Sequence, residues 1–156
     1  MRWNSSESNY SSRPGARMTV WVNQAGVIPV LNGRVCMVSS RSGKRWVFPK
    51  GLIDPGHTSG QAALMEAWEE AGLVGTLDPE PVGNYVYEKL GNPHHVLVYV
   101  MRVIESRDDW PERGVRDRAW ITVDEAIDRV EEPGLRELLR RVFRIGHPDR
   151  ITLVTA

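Results

Sequence analysis

The chain has 156 residues, 41% hydrophobic and 26% charged. That length suits one domain able to bury a core without a disulfide or metal staple, and the composition excludes a wholly disordered chain or a fibre. Twenty basic residues balance twenty acidic ones, so bulk charge points to neither a nucleic-acid nor a membrane partner. No run approaches the ~18 apolar residues of a membrane span, and the N-terminus lacks the apolar core of a secretory signal. The expectation is a soluble, cytoplasmic protein. Its single cysteine, Cys36, lies in the apolar run Val35, Met37, Val38 and reads as a small core residue.

Residues 1–17 are rich in Ser, Asn and Arg without periodicity and read as a flexible arm. The ordered domain is expected over 18–147, with a short tail over 148–156. The runs Val27–Leu31 and Val35–Val38 flank Asn32-Gly33-Arg34, a hairpin signal because Asn-Gly tolerates positive φ. Pro29 suggests an edge or a bulge. Trp46-Val47-Phe48 reads as a short strand, followed by a loop from Pro49-Lys50-Gly51 through Asp54-Pro55-Gly56. A helix then starts at Thr58, with Gln61 completing a capping-box pattern and Gly72 stopping it. Strands are expected over Val82–Tyr87 and Val96–Ile104, with a turn through Gly91-Asn92-Pro93. Trp120-Ile121 is a further strand, and Thr122 or Asp124 caps a short helix running to Val130. In the last helix, opened by Pro133-Gly134, Leu135, Leu138, Leu139, Val142 and Phe143 share one face. Arg136, Arg140, Arg141 and Arg144 take the other positions and read as a solvated stripe. The mixed order predicts an α+β fold.

The helix after Thr58 carries the chemistry. At 100° per residue, Glu66, Glu69 and Glu70 fall within about 100° of one another, with Leu64, Trp68 and Ala71 opposite. Ionised acids at i, i+3 and i+4 repel one another. From spacing alone they are either an acidic solvent-facing stripe or a ligand patch for a hard divalent cation such as Mg²⁺ or Mn²⁺. Gly51, about fifteen residues earlier, lets a backbone pass close to that patch.

Gly51, Glu66, Ala67, Glu69, Glu70, Gly72 and Leu73 match seven of the nine specified positions of a known signature. It runs Gly, five residues, Glu, seven residues, then Arg-Glu-apolar-x-Glu-Glu-x-Gly-apolar, and the chain resembles the Nudix hydrolases that carry it. His57 stands where the signature has its first Glu, and Met65 where it has Arg. In the family those two tend to act as a charged pair that orients the metal-binding acids. Here both are absent together, which leaves no orphaned charge. Looser matches at Ser39-Ser40-Arg41, Arg45–Pro49, Asp109–Glu112 and Arg116–Trp120 are similar to the diphosphoinositol polyphosphate and diadenosine polyphosphate phosphohydrolase branch.

The resemblance implies an α/β/α sandwich with a mixed β-sheet between helices. It also implies metal-dependent cleavage of a phosphoanhydride in a nucleoside diphosphate linked to a further group, a dinucleoside polyphosphate or a diphosphoinositol polyphosphate. The partner is then a small phosphoanhydride molecule. By the same carry-over, Glu66 and Glu70 are metal ligands with a carbonyl of Lys50 or Gly51, Mg²⁺ or Mn²⁺ is the cofactor, and Glu69 is the general base. Ser39, Ser40, Arg41, Lys50, His95 and Arg116 are phosphate contacts. Glu88 and Glu112 are candidate extra acids, and Trp46, Trp110 or Tyr87 are candidates to stack a base. Val22–Gly26 and Lys50-Gly51-Leu52 lack the Lys/Arg cluster and the glycine run of relatives that cleave inositol pyrophosphates, which predicts a less cationic pocket. The reading from another class is a catalytically weak domain that senses a nucleotide or phosphorylated ligand.

Overall fold

A computed structural model describes residues 18–143. The expected arm over 1–17 and tail over 148–156 lie outside the described residues, as does Arg144. Among the described residues eight strands form one sheet: β1 (Val22–Leu31), β2 (Arg34–Ser39), β3 (Trp46–Val47), β4 (Lys50–Leu52), β5 (Leu73–Leu77), β6 (Gly83–Lys89), β7 (Asn92–Ser106) and β8 (Arg118–Ile121). Three helices among the described residues cover it: α1 (Ser59–Ala71), α2 (Val123–Arg129) and α3 (Pro133–Phe143). The main path runs β3-β2-β1-β7-β5, with β4 on β1, β6 on β7 and β8 on β2. β1 and β7 pair in parallel and the other pairs are antiparallel. This is the expected mixed sheet between helices.

The central strands are buried on both faces, so they read as nearly unbroken apolar runs that alternate between two cores. Val27, Cys36, Val38, Tyr99, Met101 and Val103 pack with Ala62, Ala63, Ala67 and Ala71 of α1. Ile28, Val30, Val35, Met37, Val96, Val98 and Val100 pack with Ala126, Ile127, Leu135, Leu138, Leu139 and Phe143 of α2 and α3. Cys36 is fully buried, and burial pushes its thiol up to about 12. It is a core residue, as read from the sequence.

The hairpin closes on Asn32 (φ 52°) and Gly33 (φ 74°), as Asn-Gly predicts. Four local readings are corrected. Pro29 is not at an edge: β1 lies inside the sheet, and Pro29 falls between the β4 pairing at Gln24–Gly26 and the β2 pairing at Val30–Leu31, where β1 changes partner. The turn before β7 is made by Leu90 (φ 53°) and Gly91 (φ 79°), so Asn92 and Pro93 already belong to the strand. Lys50-Gly51-Leu52 is a strand paired to β1, not loop. Leu73–Leu77, which no strand signal marked, pairs with β7. The last two are short and owe their conformation to partners distant in sequence.

Candidate active site

Helix α1 is fixed at both ends. At its start Gln61 N–H donates to Thr58 Oγ1 at 3.1 Å, and Thr58 N–H donates to Gln61 Oε1 at 2.9 Å, the predicted capping box. At its end Gly72 adopts φ 67°, and the Trp110 side chain lies so close over it that a Cβ would stand 2.9 Å away. Trp110 Nε1–H donates to Glu70 O at 3.0 Å, and the Arg118 guanidinium stacks 4.3 Å from the Trp110 ring. Trp110 is thus the clasp on the helix terminus and is absent from the cavity described below.

The buried stripe of α1 is Ala62, Ala63, Ala67, Ala71 and Glu70, while Leu64 and Trp68 are only partly buried. Of the two readings the spacing left open, this burial rules out the solvent-facing stripe for Glu70 and places Glu66 beside it. Small alanines let α1 approach the sheet closely, and they carry Glu66 and Glu70 against β4. The Glu66 carboxylate rests directly on Gly51: a Cβ there would stand 2.6 Å from Glu66 Oε2. Glu70 Oε1 accepts the Lys50 N–H at 3.2 Å, and Glu70 Oε2 accepts from Arg116 Nη2 at 3.2 Å.

Burial raises Glu70 to about 7 despite the opposing pull of Arg116 and Lys50. Glu66 is raised to about 8, first by burial and then by the negative charges of Glu70, Glu69 and Glu112. In both, burial is the first cause, so keeping the pair ionised calls for added positive charge. A donor set made only of oxygens, short of positive charge, fits a hard divalent cation. Among the described residues no three His, Cys, Asp or Glu side chains already form a cage for one, and both Glu70 oxygens are engaged by protein donors. Glu69 is half-buried, and its carbonyl accepts the Glu112 N–H at 3.0 Å.

Beside Glu70 opens a cavity of about 520 Å³. Arg41, Arg45, Lys50, Lys89 and Arg116 line it, with Gln24, Ser40, Tyr87 and Glu88 among the rest. The cavity is more cationic than the sequence predicts. Its charges come from the β2–β3 loop, β4, the β6–β7 hairpin and the segment before β8, not from β1 where the sequence pointed. Two of the chain's three lysines, Lys50 and Lys89, are here. Burial lowers the Lys50 ammonium below its usual range against the pull of Glu70, and the ammonium stands 5.2 Å from the Tyr87 ring. Tyr87 donates its hydroxyl to Gln24 at 2.8 Å and packs on His94 at 4.8 Å between ring centres.

Of the predicted phosphate contacts, Ser40, Arg41, Lys50 and Arg116 line the cavity. Ser39 does not: it is buried, its Oγ accepts the Asp117 N–H at 2.8 Å, and its carbonyl accepts from Arg116 Nη1 at 3.0 Å. His95 does not either. The alternation of β7 puts His94 beside Tyr87 on the cavity side, while His95 pairs with Asn23 and Val86 on the other. Sequence reasoning missed Arg45, Lys89 and Gln24; the sparse lysines were the one signal that could have pointed here.

An alternating ion chain joins cavity rim to acid helix. Exposed Arg41 pairs with Glu112 at 3.3 Å, Glu112 with Arg116 at 2.8 Å, and Arg116 with Glu70 at 3.2 Å. His57 and Met65, the two departures from the signature, meet on the far side of the acids. They line a small depression with Leu52, Asp54, Glu66 and Glu69.

The NUDIX domain family matches residues 21–142. The chain is 32% identical over 126 residues to "Nudix hydrolase 16, mitochondrial" of Arabidopsis thaliana, covering 76% of this chain and 69% of that protein. It is 36% identical over 115 residues to "Diphosphoinositol polyphosphate phosphohydrolase 3-alpha" of Homo sapiens, covering 70% and 68%. Across the first plant relatives the chain spans between 55% and 69% of their length. In three dimensions it resembles the crystal structure of a C. elegans Ap4A hydrolase, with a TM-score of 0.63, 26% identity, and coverage of 78% of this chain and 96% of that one. Fold, acid helix and sequence agree: the chain belongs to the Nudix hydrolase family.

Proposed function

We propose that this protein is a Mg²⁺- or Mn²⁺-dependent pyrophosphohydrolase that cleaves a phosphoanhydride in a dinucleoside polyphosphate or a diphosphoinositol polyphosphate. The observation that carries this is the junction at Glu70, where an excess of desolvated carboxylates meets a cavity lined by five cationic side chains. Glu66 and Glu70 would hold the cation, with a carbonyl of Lys50 or Gly51. Once bound, the cation neutralises phosphate oxygens and makes water a better nucleophile. Arg41, Lys50 and Arg116 hold the phosphate chain, Arg41 from the exposed rim and Arg116 with the donors that its bonds to Glu70, Glu112 and the Ser39 carbonyl leave over. Glu69 takes the proton from water as its oxygen joins phosphorus and the bridging P–O bond breaks, the leaving phosphate keeping the electron pair. Tyr87 lines the cavity with an aromatic ring beside the Lys50 ammonium, a surface against which a base can pack. A dinucleoside polyphosphate is therefore the first substrate to test.

Relatives named for these same two substrate classes support the pair. The test is a panel of diadenosine polyphosphates, nucleotide sugars, nucleoside triphosphates and inositol pyrophosphates with Mg²⁺ or Mn²⁺, run on wild type and Glu69→Gln. Wild type should release phosphate-containing products, and the variant should lose turnover by about 10²-fold or more with its fold intact. Equal turnover in the two would remove Glu69 from the mechanism. The replacement of the orienting pair by His57 and Met65 favours a sensor instead. That reading predicts tight ligand binding with no turnover anywhere in the panel.

A further inference from the structure

Arg45 stands in the cavity wall at the end of the β2–β3 loop. Its backbone closes that loop: the Ser40 N–H donates to Arg45 O at 2.8 Å, and the Arg45 N–H donates to Ser40 Oγ at 3.3 Å. Its guanidinium is gripped from the opposite layer. Nη2 donates a hydrogen bond to Glu132 Oε2, and Nε stands 3.1 Å from Glu131 Oε2 in an ion pair. These acids lie between α2 and α3, and the Glu132 carbonyl accepts the Arg136 N–H as α3 begins. Glu131 is mostly exposed, but the Glu132 side chain is only 10% exposed. A carboxylate so desolvated is costly unless paired, and Arg45 is its only ion-pair partner among the described residues. The hydrogen bond to Glu132 and the ion pair to Glu131 fall on the Nε/Nη2 side, and Nη1 has no protein acceptor among the described residues.

We propose that Glu132 is a positioning residue for phosphate binding. It clamps the Arg45 guanidinium to the junction of the two C-terminal helices, so that the free edge is aimed at an anion in the cavity. A loop arginine would otherwise surrender rotamer freedom each time it met a phosphate; one already held in place has less to lose. The inference rests on the reading of the cavity as the polyphosphate site.

The test compares Glu132→Ala with Glu132→Gln in the full chain. Both remove the same charge, so any change in cavity potential is common to both; only Gln keeps an acceptor for the guanidinium. Calorimetric titration with inorganic tripolyphosphate in the absence of metal reads anion binding alone. Steady-state hydrolysis of diadenosine tetraphosphate with Mg²⁺ separates KM from kcat. Glu132→Ala should weaken tripolyphosphate binding and raise KM about tenfold each, with kcat nearly unchanged, while Glu132→Gln stays within about twofold of wild type. Arg45→Ala should lose as much as Glu132→Ala, and the double variant no more than either.

Anion binding by Glu132→Ala as tight as wild type, or losses that add in the double variant, would overturn the proposal. Should Glu132→Ala fail to fold, Arg45→Lys decides. It keeps the charge but not the planar fork, and binding as tight as wild type would defeat the aiming argument. Normal tripolyphosphate behaviour with no turnover of any substrate would count against the pyrophosphohydrolase reading and leave Glu132's role standing.

Discussion

Gly51→Ala separates the two things a glycine can do, relax a backbone or make room. Gly51 lies in β4 opposite Ala25, in ordinary strand pairing, and its φ is outside the left-handed region that favours glycine. An alanine therefore costs no backbone strain. The added Cβ would instead sit 2.6 Å from Glu66 Oε2 and nearer still to the carboxyl carbon, where ordinary contact begins at 3.4 Å. The carboxylate has to move by roughly 1 Å, and a catalytic group misplaced by that much loses about 10²-fold in rate. Because the atoms displaced are the end of a flexible side chain, the fold absorbs the change.

The prediction is a loss of turnover of about 10²-fold, equivalent to about 2.7 kcal/mol of activation free energy, with a denaturation midpoint close to wild type. Gly56→Ala is the control of opposite kind. Gly56 has φ 86°, and a methyl added there would meet nothing within 4 Å, so alanine should cost about 1 kcal/mol of stability and leave kcat alone. The assay is hydrolysis of diadenosine tetraphosphate with Mg²⁺, read beside urea unfolding. Turnover of Gly51→Ala within about twofold of wild type would refute the claim that the Glu66 carboxylate must lie on a bare backbone.

Arg116 and Glu70 are 9% and 8% exposed in their side chains, so Arg116→Ala should destabilise the fold by about 3 kcal/mol in urea unfolding, and less at low pH where Glu70 can take up a proton. An unperturbed glutamate protonates at 4.5, whereas folded Glu66 and Glu70 hold protons up to about 8 and about 7. Between those values the folded state binds more protons than the unfolded chain, so the stabilisation present near pH 4.5 is lost as pH rises through 7 and 8. The thermal midpoint of metal-free protein should fall over that range. Added Mg²⁺, which favours the ionised carboxylates, should raise the midpoint more at pH 8 than at pH 6. His57→Glu with Met65→Arg restores a charged pair beside Glu66 and Glu69. Activity of the double variant should equal or exceed wild type, with the two changes non-additive, and two independent losses of activity would show that these positions do not support the acids.

The parts of this molecule legible in its sequence are those written in short-range chemistry. Thr58 and Gln61 announce the start of α1, Gly72 its end, and Asn32-Gly33 the first turn, because each of these conformations is decided within a few residues. β4 and β5 escape because three and five residues carry no period to read; pairing with β1 and β7 makes them strands. His94 and His95 show how fine the margin is. The sequence analysis names His95, yet a period of two means that one residue decides which face a side chain occupies, and its neighbour His94 is the one that reaches Tyr87.

The acid helix carries the deeper lesson. Three glutamates in five positions look like a face meant for water, and a helix wheel drawn from Leu64 and Trp68 turns them outward. What reverses the helix is the size of Ala62, Ala63 and Ala67, all nearly free of solvent. Their small side chains allow the close approach to the sheet, and Glu66 and Glu70 lie on that same buried side. Desolvation and mutual repulsion, which the spacing alone makes look like a defect, are then the features that fit the site to a divalent cation. The cavity charges follow the same logic from the opposite direction. Arg41, Arg45, Lys50, Lys89 and Arg116 are scattered over 76 positions in the chain, so no local count finds them. Only the sheet order that sets β2, β4, β6 and β8 around one opening gathers these charges from a chain of zero net charge into one cationic cavity.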